Sequence, residues 1–362
     1  MTEPETLHTT LKDEVGKLLV GLDDHVDLLT VAMLTRGHVL LEGVPGVAKT
    51  SLARVFTTAS GLEYNRIQMT PDILPADITG TTVYREHTGE FETREGPVFA
   101  NVVVADEINR ATPKTQSALL EAMEEGSVTI DGETHSLPEP FIVIATQNPI
   151  EMEGTFELPE AQRDRFQLKI NVDVPDRDDE IEMLSQFDEQ PEFSPSDIDE
   201  VVDGEDILQA RSVVDGTYVD ESVREYMTDL VAATRDHEAT EYGGSPRASL
   251  AFQNAAKAHA AIDGRDYVIP DDIKRLAEPV LVHRLVLNTE AELGDVSRRD
   301  VVRDVLDSVV PPGGEGPAQD VTRPGEGETA SNTESADQVG GSNSSEGEAM
   351  DHSNPEEAST DD

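Results

Sequence analysis

The sequence predicts a doubly wound α/β domain that carries a phosphate-binding loop and is followed by a small helical domain. Three observations favour this fold. Short apolar segments alternate with helical patterns over about residues 15–172, as in a parallel sheet with helices between its strands. A glycine-rich octapeptide at residues 43–50 lies between the first of these strands and a helix. After Pro175 the spacing of apolar residues becomes helical.

Local patterns predict the elements of the first domain. Five segments are expected to be strands: 38–41, 64–69, 101–105, 141–146 and 168–172. In the segment at 101–105, every residue after Asn101 is apolar, which is typical of a strand buried on both faces of a parallel sheet. Helical spacing predicts helices at 23–36, 51–60 and 114–125. Asp131-Gly132 lies at the centre of residues 127–137 and predicts a β-hairpin there.

The rest of the chain divides into three further segments. The second domain is expected to be a helical lid at about residues 190–310, with helices at 219–236, from Ser245 to about 262, from 270 and from 297. We assign the α/β domain to residues 15–175. Residues 1–14 are polar, and we expect them to form a segment that precedes this domain. Residues 311–362 have almost no large apolar side chains, so we expect a disordered acidic tail.

Composition excludes several classes of function. The chain has no cysteine, which excludes disulfides, thiolate zinc sites and cysteine nucleophiles. Its nine histidines show no metal-ligand spacing. No apolar run reaches the ~18 residues of a membrane span, and the polar N-terminus is unlike a secretion signal. We therefore expect a cytoplasmic protein without a membrane span.

The charge of the chain is strongly negative, with 75 acidic and 27 basic residues and a net charge of −48. One interpretation is an acidic surface that recruits basic partners. The favoured one is adaptation to a salty cytoplasm, because salt screens the self-repulsion of a carboxylate-rich, lysine-poor surface. Such a composition resembles the proteins of extreme halophiles, such as halophilic archaea. It disfavours nucleic-acid binding, which needs a basic surface.

The octapeptide has the spacing of a P-loop that binds ATP. Its residues, with the one that follows, are Gly43, Val44, Pro45, Gly46, Val47, Ala48, Lys49, Thr50 and Ser51. Backbone N–H groups of the loop and of the following helix would bind phosphate oxygens. Lys49 would reach the β- and γ-phosphates, and Thr50 would hold Mg²⁺. Because alanine disfavours positive φ, we expect helix-compatible angles at Ala48, where glycine is usual. The alternative is a chance glycine turn.

Two other strand ends carry polar residues that suit the same reaction. Asp106 and Glu107 follow the strand at 101–105. Asp106 would coordinate Mg²⁺, mostly through water, and Glu107 would orient the attacking water. Asn148 follows the strand at 141–146 and would bind the γ-phosphate or the water, the alternative being a turn before Pro149. Together these residues predict an enzyme that hydrolyses ATP.

Longer segments resemble the MoxR family of AAA+ ATPases. Asp-Glu-Ile-Asn-Arg-Ala at 106–111 is very similar to the family motif, as are 114–123, 158–166 and 245–248. The P-loop at 43–50, including its alanine, resembles the form found in that family. The resemblance covers about residues 15–305 and implies an AAA+ parallel-sheet domain with a helical lid. It also implies a ring, commonly a hexamer, that binds ATP between subunits and remodels or activates partner proteins in a chaperone-like way, with metal-cofactor insertion a common theme.

The same resemblance implies roles for individual residues. Arg165 looks like an arginine finger that reaches the γ-phosphate of the neighbouring subunit, and Arg163 is its rival. Arg247 looks like the sensor-2 arginine, acting from the lid on the γ-phosphate of its own subunit, with a plain surface charge as the alternative. Arg110 would make an intersubunit contact. Val20-Gly21 resembles the segment that lines the adenine pocket.

Two insertions and several partners complete the expectation. Residues 70–97 fit an insertion in the second helix, and 127–137 fit a hairpin before the sensor strand. Both would face the pore or the substrate, with plain surface loops as the alternative.

The resemblance also implies partner proteins. One is the client protein, and another is a protein with a von Willebrand factor A domain, which would be a separate chain. Alternative functions are a magnesium- or cobalt-chelatase ATPase subunit, a helicase of the same branch, which the missing basic stripes disfavour, and a nucleotide-gated scaffold or transcriptional regulator.

Overall fold

The computed structural model describes residues 2–87, 89–149, 155–156, 158–189, 192 and 194–313. The first elements are α1 (Pro4–Gly16), α2 (Asp23–Leu34), β1 (Val39–Glu42), α3 (Lys49–Ala59), β2 (Tyr64–Gln68), α4 (Pro75–Thr79), β3 (Gly80–Arg85), β4 (Glu90–Glu95), β5 (Val102–Asp106), α5 (Pro113–Glu125), β6 (Ser127–Ile130), β7 (Glu133–Ser136), β8 (Ile142–Gln147), α6 (Glu160–Arg163) and β9 (Leu168–Asn171). They are followed by α7 (Arg177–Glu189), α8 (Gly204–Asp215), α9 (Glu221–Asp236), β10 (Thr240–Tyr242), α10 (Pro246–Ile262), α11 (Pro270–Leu281), β11 (Val286–Leu287), α12 (Thr289–Leu293) and α13 (Arg298–Ser308). The predicted tail lies outside the described residues, except for residues 311–313.

The central sheet has five parallel strands in the order β2-β5-β8-β1-β9. Successive side chains of a strand point to opposite faces, so each strand contributes to two cores. Leu40 and Val143 lie in the core shared with α5, whereas Leu41 and Ile144 lie in the core shared with α3 and the lid helices. The predicted α/β fold with a parallel sheet and a helical lid is therefore confirmed.

The first helix was not expected from the sequence. The segment set apart as polar, residues 1–14, forms most of α1, and its Leu7, Leu11 and Val15 are fully buried in the core that also contains the lid. Their spacing of four residues places them on one side of a helix. Because the residues between these three are mostly acidic or polar, the sequence did not show this apolar side of the helix. The described residues up to 313 form one compact unit.

Helix α8 begins at Gly204, within the segment expected to form the lid. Asp203 caps α8 and Ser245 caps α10, where the hydroxyl accepts from the N–H of Arg247. The predicted capping box at Ser297 is also present. None of the helices in the described part of the chain is long and apolar enough to cross a bilayer.

Both predicted insertions contain hairpins. Residues 70–97 form α4 and then the antiparallel pair β3–β4, so this segment is structured and is not a plain loop. Strands β6 and β7 pair around Asp131 and Gly132, both with positive φ, as the sequence predicted.

Candidate active site

The P-loop connects β1 to α3 at the carboxyl edge of the sheet. Gly43 must be glycine, because a Cβ there would lie 2.3 Å from the carbonyl oxygen of Val172. Gly46 has φ of 93°, a conformation that favours glycine. Helix α3 begins at Lys49, two residues earlier than predicted. The N–H groups of its first turn therefore point toward the loop. This arrangement suits phosphate oxygens.

The expectation for Ala48 was wrong. Its φ is 61° and its ψ is 20°, which is the left-handed region, and not the helix-compatible angles predicted from its side chain. A non-glycine residue in this region costs about 1–2 kcal/mol. The loop geometry around Lys49 therefore overrides the local preference of alanine.

Lys49 points back into the loop. Its Nζ donates to the carbonyl oxygens of Gly43 at 2.6 Å and Val44 at 2.9 Å. Burial lowers the pKa of Lys49, and the nearby carboxylates of Asp106, Glu107 and Glu42 act in the opposite direction. The ammonium group is thus held in the loop, where it can pair with phosphates.

Asp106 and Thr50 bring together oxygen ligands that fit a magnesium ion. The Thr50 hydroxyl lies 3.4 and 3.5 Å from the two carboxylate oxygens of Asp106. Asp106 Oδ1 also accepts from Thr146 at 2.6 Å, which fixes the orientation of the carboxylate. Hydroxyl and carboxylate oxygens are the ligands that hard cations prefer. These residues could therefore hold the ion that accompanies ATP.

Glu107 has an unusual backbone, with φ of 56° and ψ of 53°. Its N–H donates to the Thr146 hydroxyl at 2.9 Å, so Thr146 supports both acidic residues. Glu107 Oε2 accepts from the Gln68 amide at 3.0 Å and from Arg110 at 3.2 Å. Arg110, expected to contact another subunit, pairs here with Glu107. Left-handed non-glycine residues of this kind are concentrated at functional sites.

Asn148 lies directly after β8, the strand between β5 and β1. Its side chain is buried, with 6% exposed. The carboxyl ends of parallel strands meet at one edge of the sheet, so Asn148 lies at the same edge as Lys49 and Asp106. This placement agrees with a sensor role.

Arg165 and Arg247 are brought together at a different place. Both guanidinium groups pair with Glu124 near the end of α5, Arg165 at 3.0 Å and Arg247 at 2.6 Å. Arg165 also donates to the carbonyl oxygen of Leu120 at 2.8 Å. A cavity of about 240 Å³ beside them is lined by four arginines and two carboxylates, namely Arg36, Arg165, Arg247, Arg284, Glu124 and Asp164.

This cavity lies at the amino edge of the sheet. His38, directly before β1, bonds the carbonyl oxygen of Met123, the neighbour of Glu124, at 3.0 Å. The P-loop begins at the opposite end of β1, roughly 16 Å away at ~3.3 Å per residue. The Arg247 side chain therefore lies at the edge of the sheet opposite the P-loop of its own subunit.

Arg163 and Arg165 have different surroundings. The charge of Arg163 contributes to lowering the pKa of the half-buried Lys169 and of the buried His283, and the Nε atom of Arg163 is itself buried. The Arg165 side chain is 30% exposed and faces the cavity. Of the two, Arg165 has the geometry of a residue that could reach another subunit.

Three polar residues of the site were missed from the sequence: Arg66 and Gln68 on β2, and Thr146 on β8. Arg66 and Gln68 alternate with apolar positions, and in this topology β2 lies beside β5. Polar side chains at the carboxyl end of that neighbouring strand were the signal that could have found them. Glu124, which joins the two arginines, left no signal in the sequence.

The fold and the P-loop site define the protein as a P-loop ATPase with an AAA+ sheet and lid. Residues 38–168 match the family described as "ATPase family associated with various cellular activities (AAA)", and residues 232–305 match the family described as "AAA lid domain".

The chain belongs to the MoxR family of AAA+ ATPases. It is 44% identical to the "Chaperone MoxR1" of Mycobacterium tuberculosis, over 83% of this chain and 81% of that protein. It is also 45% identical to the "Uncharacterized protein YeaC" of Bacillus subtilis, over 86% of this chain and 98% of that protein. The crystal structure of a putative ATPase from Cytophaga hutchinsonii is 41% identical, with a TM-score of 0.79 over 85% of this chain and 96% of that one.

Proposed function

We propose that the protein forms a ring in which Mg²⁺–ATP is hydrolysed at a site shared by two subunits. One subunit supplies Lys49, Thr50, Asp106, Glu107 and Asn148, and its neighbour supplies Arg165 and Arg247. The observation that carries this proposal is the separation of these groups to opposite edges of one sheet. An arginine at the amino edge cannot reach the P-loop of its own subunit, but in a ring it can face the P-loop of the next.

Charge supports the same arrangement. The chain has a net charge of −48, yet four arginines line the cavity at the amino edge. A guanidinium group remains charged and matches phosphate oxygens with several donors. Arg165 would stabilise the charge that develops on the transferred phosphoryl group. Arg247 would assist Arg165 from the same edge of the sheet. This differs from the expectation that Arg247 acts on the γ-phosphate of its own subunit.

Within the subunit that binds ATP, we assign one role to each residue. Lys49 and the N–H groups of the loop bind the phosphates, and Thr50 and Asp106 hold Mg²⁺, which when bound offsets the negative charge of the phosphates. Glu107 orients water and accepts its proton. Asn148 senses the γ-phosphate, and Val20-Gly21 lines the adenine pocket.

The energy of hydrolysis would be used to remodel or activate partner proteins, in a ring that is expected to be a hexamer. This part rests on the family and on the relative named as a chaperone. A von Willebrand factor A-domain protein on another chain is a candidate partner, and metal-cofactor insertion is a candidate outcome. Clients retained by a Glu107→Gln ring in ATP, and released when ATP is removed, would support a remodelling role.

Subunit mixing tests the shared site. Lys49→Ala and Arg165→Ala proteins should each be inactive, for loss of phosphate binding and of the neighbour's finger respectively. Mixed rings contain some interfaces with an intact Lys49 facing an intact Arg165, so activity should return in part. The control is a mixture of Lys49→Ala with Glu107→Gln, which share one face and should not rescue each other. Absence of rescue in rings shown to exchange subunits would contradict the proposal.

A further inference from the structure

The acidic residue assigned to magnesium is already paired with an arginine. Arg66 Nε donates to Asp106 Oδ2 at 3.0 Å, and Nη2 of the same guanidinium contacts the same oxygen. Asp106 lies at the end of β5, and Arg66 lies on β2, which pairs with β5. The other carboxylate oxygen accepts from Thr146. Both oxygens of Asp106 are thus engaged by protein donors.

The two side chains differ strongly in exposure. The side chain of Asp106 is 10% exposed, whereas that of Arg66 is 49% exposed. Asp106 is therefore fixed in the site, while the exposed guanidinium of Arg66, which also donates to Gln68 Oε1 at 2.9 Å, has room to move toward solvent. Arg66 also lies on β2, the edge strand of the sheet, where no further strand covers it in the described part of the chain.

Charge explains why a cation is needed at this place. Asp106, Glu107 and Glu42 all act on the ammonium of Lys49, so three carboxylates surround one lysine. Carboxylates grouped around one lysine repel each other and destabilise the site. The guanidinium of Arg66 supplies a second positive charge there, directly against Asp106, the most buried of the three carboxylates.

From this geometry we propose that Arg66 is a positioning residue that holds Asp106 and competes with the magnesium ion for it. The guanidinium of Arg66 lies against the same carboxylate that would hold the divalent cation, and two positive charges this close together repel each other. Arg66 would release Asp106 when a divalent cation binds there with its nucleotide, and would hold Asp106 again when the cation is absent. The inference rests on the proposed ATPase site and adds a residue that sets its affinity for metal.

Manganese binding to the full-length protein with ADP tests the competition. Mn²⁺ takes the place of Mg²⁺ at such sites and its binding can be followed by electron paramagnetic resonance. Arg66→Gln removes the competing charge, so Mn²⁺ should bind about tenfold more tightly than in the wild type, as expected for the loss of one charge-assisted pair. Arg66→Lys keeps a positive charge and should remain near the wild type.

The control is Arg94→Gln, which removes the same charge from an exposed position on β4 and should leave the affinity for Mn²⁺ unchanged. Equal affinity in Arg66→Gln and Arg94→Gln, or weaker binding in Arg66→Gln, would overturn the inference. Failure of the wild type itself to bind Mn²⁺ with ADP would instead refute the proposed ATPase site.

A measurement on the wild type does not depend on how the variants fold. Phenylglyoxal reacts with free guanidinium groups, and its attachment to Arg66 can be followed by mass spectrometry. Labelling of Arg66 should increase when Mg²⁺ is added to the ADP-bound protein, because the guanidinium leaves Asp106. Labelling of Arg94 serves as the internal reference. No increase, or greater protection of Arg66 with Mg²⁺, would overturn the inference.

Discussion

His38 is a buried histidine whose protonation should weaken the fold. Its Nε2 lies 3.0 Å from the carbonyl oxygen of Met123, and its Nδ1 accepts from the N–H of Val143 at 2.9 Å. Only the neutral ring with its hydrogen on Nε2 satisfies both contacts. A second proton, on Nδ1, would face the hydrogen of Val143. Burial, the largest effect, lowers the pKa of His38 to about 4, although the Met123 carbonyl opposes this.

The size of the effect follows from the two pKa values. The ordinary value is 6.5, so between pH 6.5 and about 4 the unfolded chain binds a proton that the folded chain does not. The contribution of His38 to the free energy of unfolding is therefore fully present above pH 6.5, and it decreases as the pH falls through this range. Between pH 7.5 and 5.0, His38 alone should cost about 2 kcal/mol of stability.

Urea unfolding at pH 7.5 and 5.0 measures this loss. His38→Asn removes the titrating ring and keeps an oxygen that can accept from Val143, so this variant should lose about 2 kcal/mol less than the wild type between the two pH values. Burial also lowers the pKa of His283, but that contribution is common to both proteins and cancels. The exposed His87 is the control, because His87→Asn should keep the pH dependence of the wild type. An equal loss in wild type and His38→Asn would refute the reasoning.

Three further predictions concern the site. Glu107→Gln should bind ATP as the wild type does and lose turnover by about 10²-fold or more, because an amide cannot accept the proton of water; nucleotide affinity and phosphate release check this. Ala48→Gly relieves the left-handed backbone but adds freedom to the unfolded chain, so stability should change by less than about 1 kcal/mol, as thermal unfolding would report. Glu124→Gln should lower turnover about tenfold without changing ATP affinity, because Arg165 and Arg247 lose their shared carboxylate; unchanged turnover would show that Glu124 does not orient them.

Much of the fold could be predicted because its signals are local. The apolar runs that became β5 and β8 and the capping residue Ser245 each depend on neighbours in the sequence. Helix α1 was missed because its apolar stripe consists of single leucines and valines among polar residues. The hairpin β3–β4 was missed because its strands are largely exposed, so no core selects one apolar face.

For the candidate site, the sequence by itself located the P-loop and the acidic pair Asp106-Glu107, which lie at one edge of the sheet. Their chemistry requires certain residue types at fixed spacing on one short segment, so the information is contiguous. It could not determine the backbone of Ala48, where the surrounding loop overrides the preference of the side chain.

Tertiary structure alone decided the partners of the charged residues. Arg66 meets Asp106 across 40 positions and Arg247 meets Glu124 across 123, and no local spacing encodes either contact. The order of the strands places Arg66 beside the acidic pair. The direction of α5 carries Glu124 to the amino edge, and this is what separates Arg165 and Arg247 from Lys49 of the same subunit. The physical reason is that charged groups interact with whatever lies near them in space, whereas a sequence motif records only residues that are near each other along the chain.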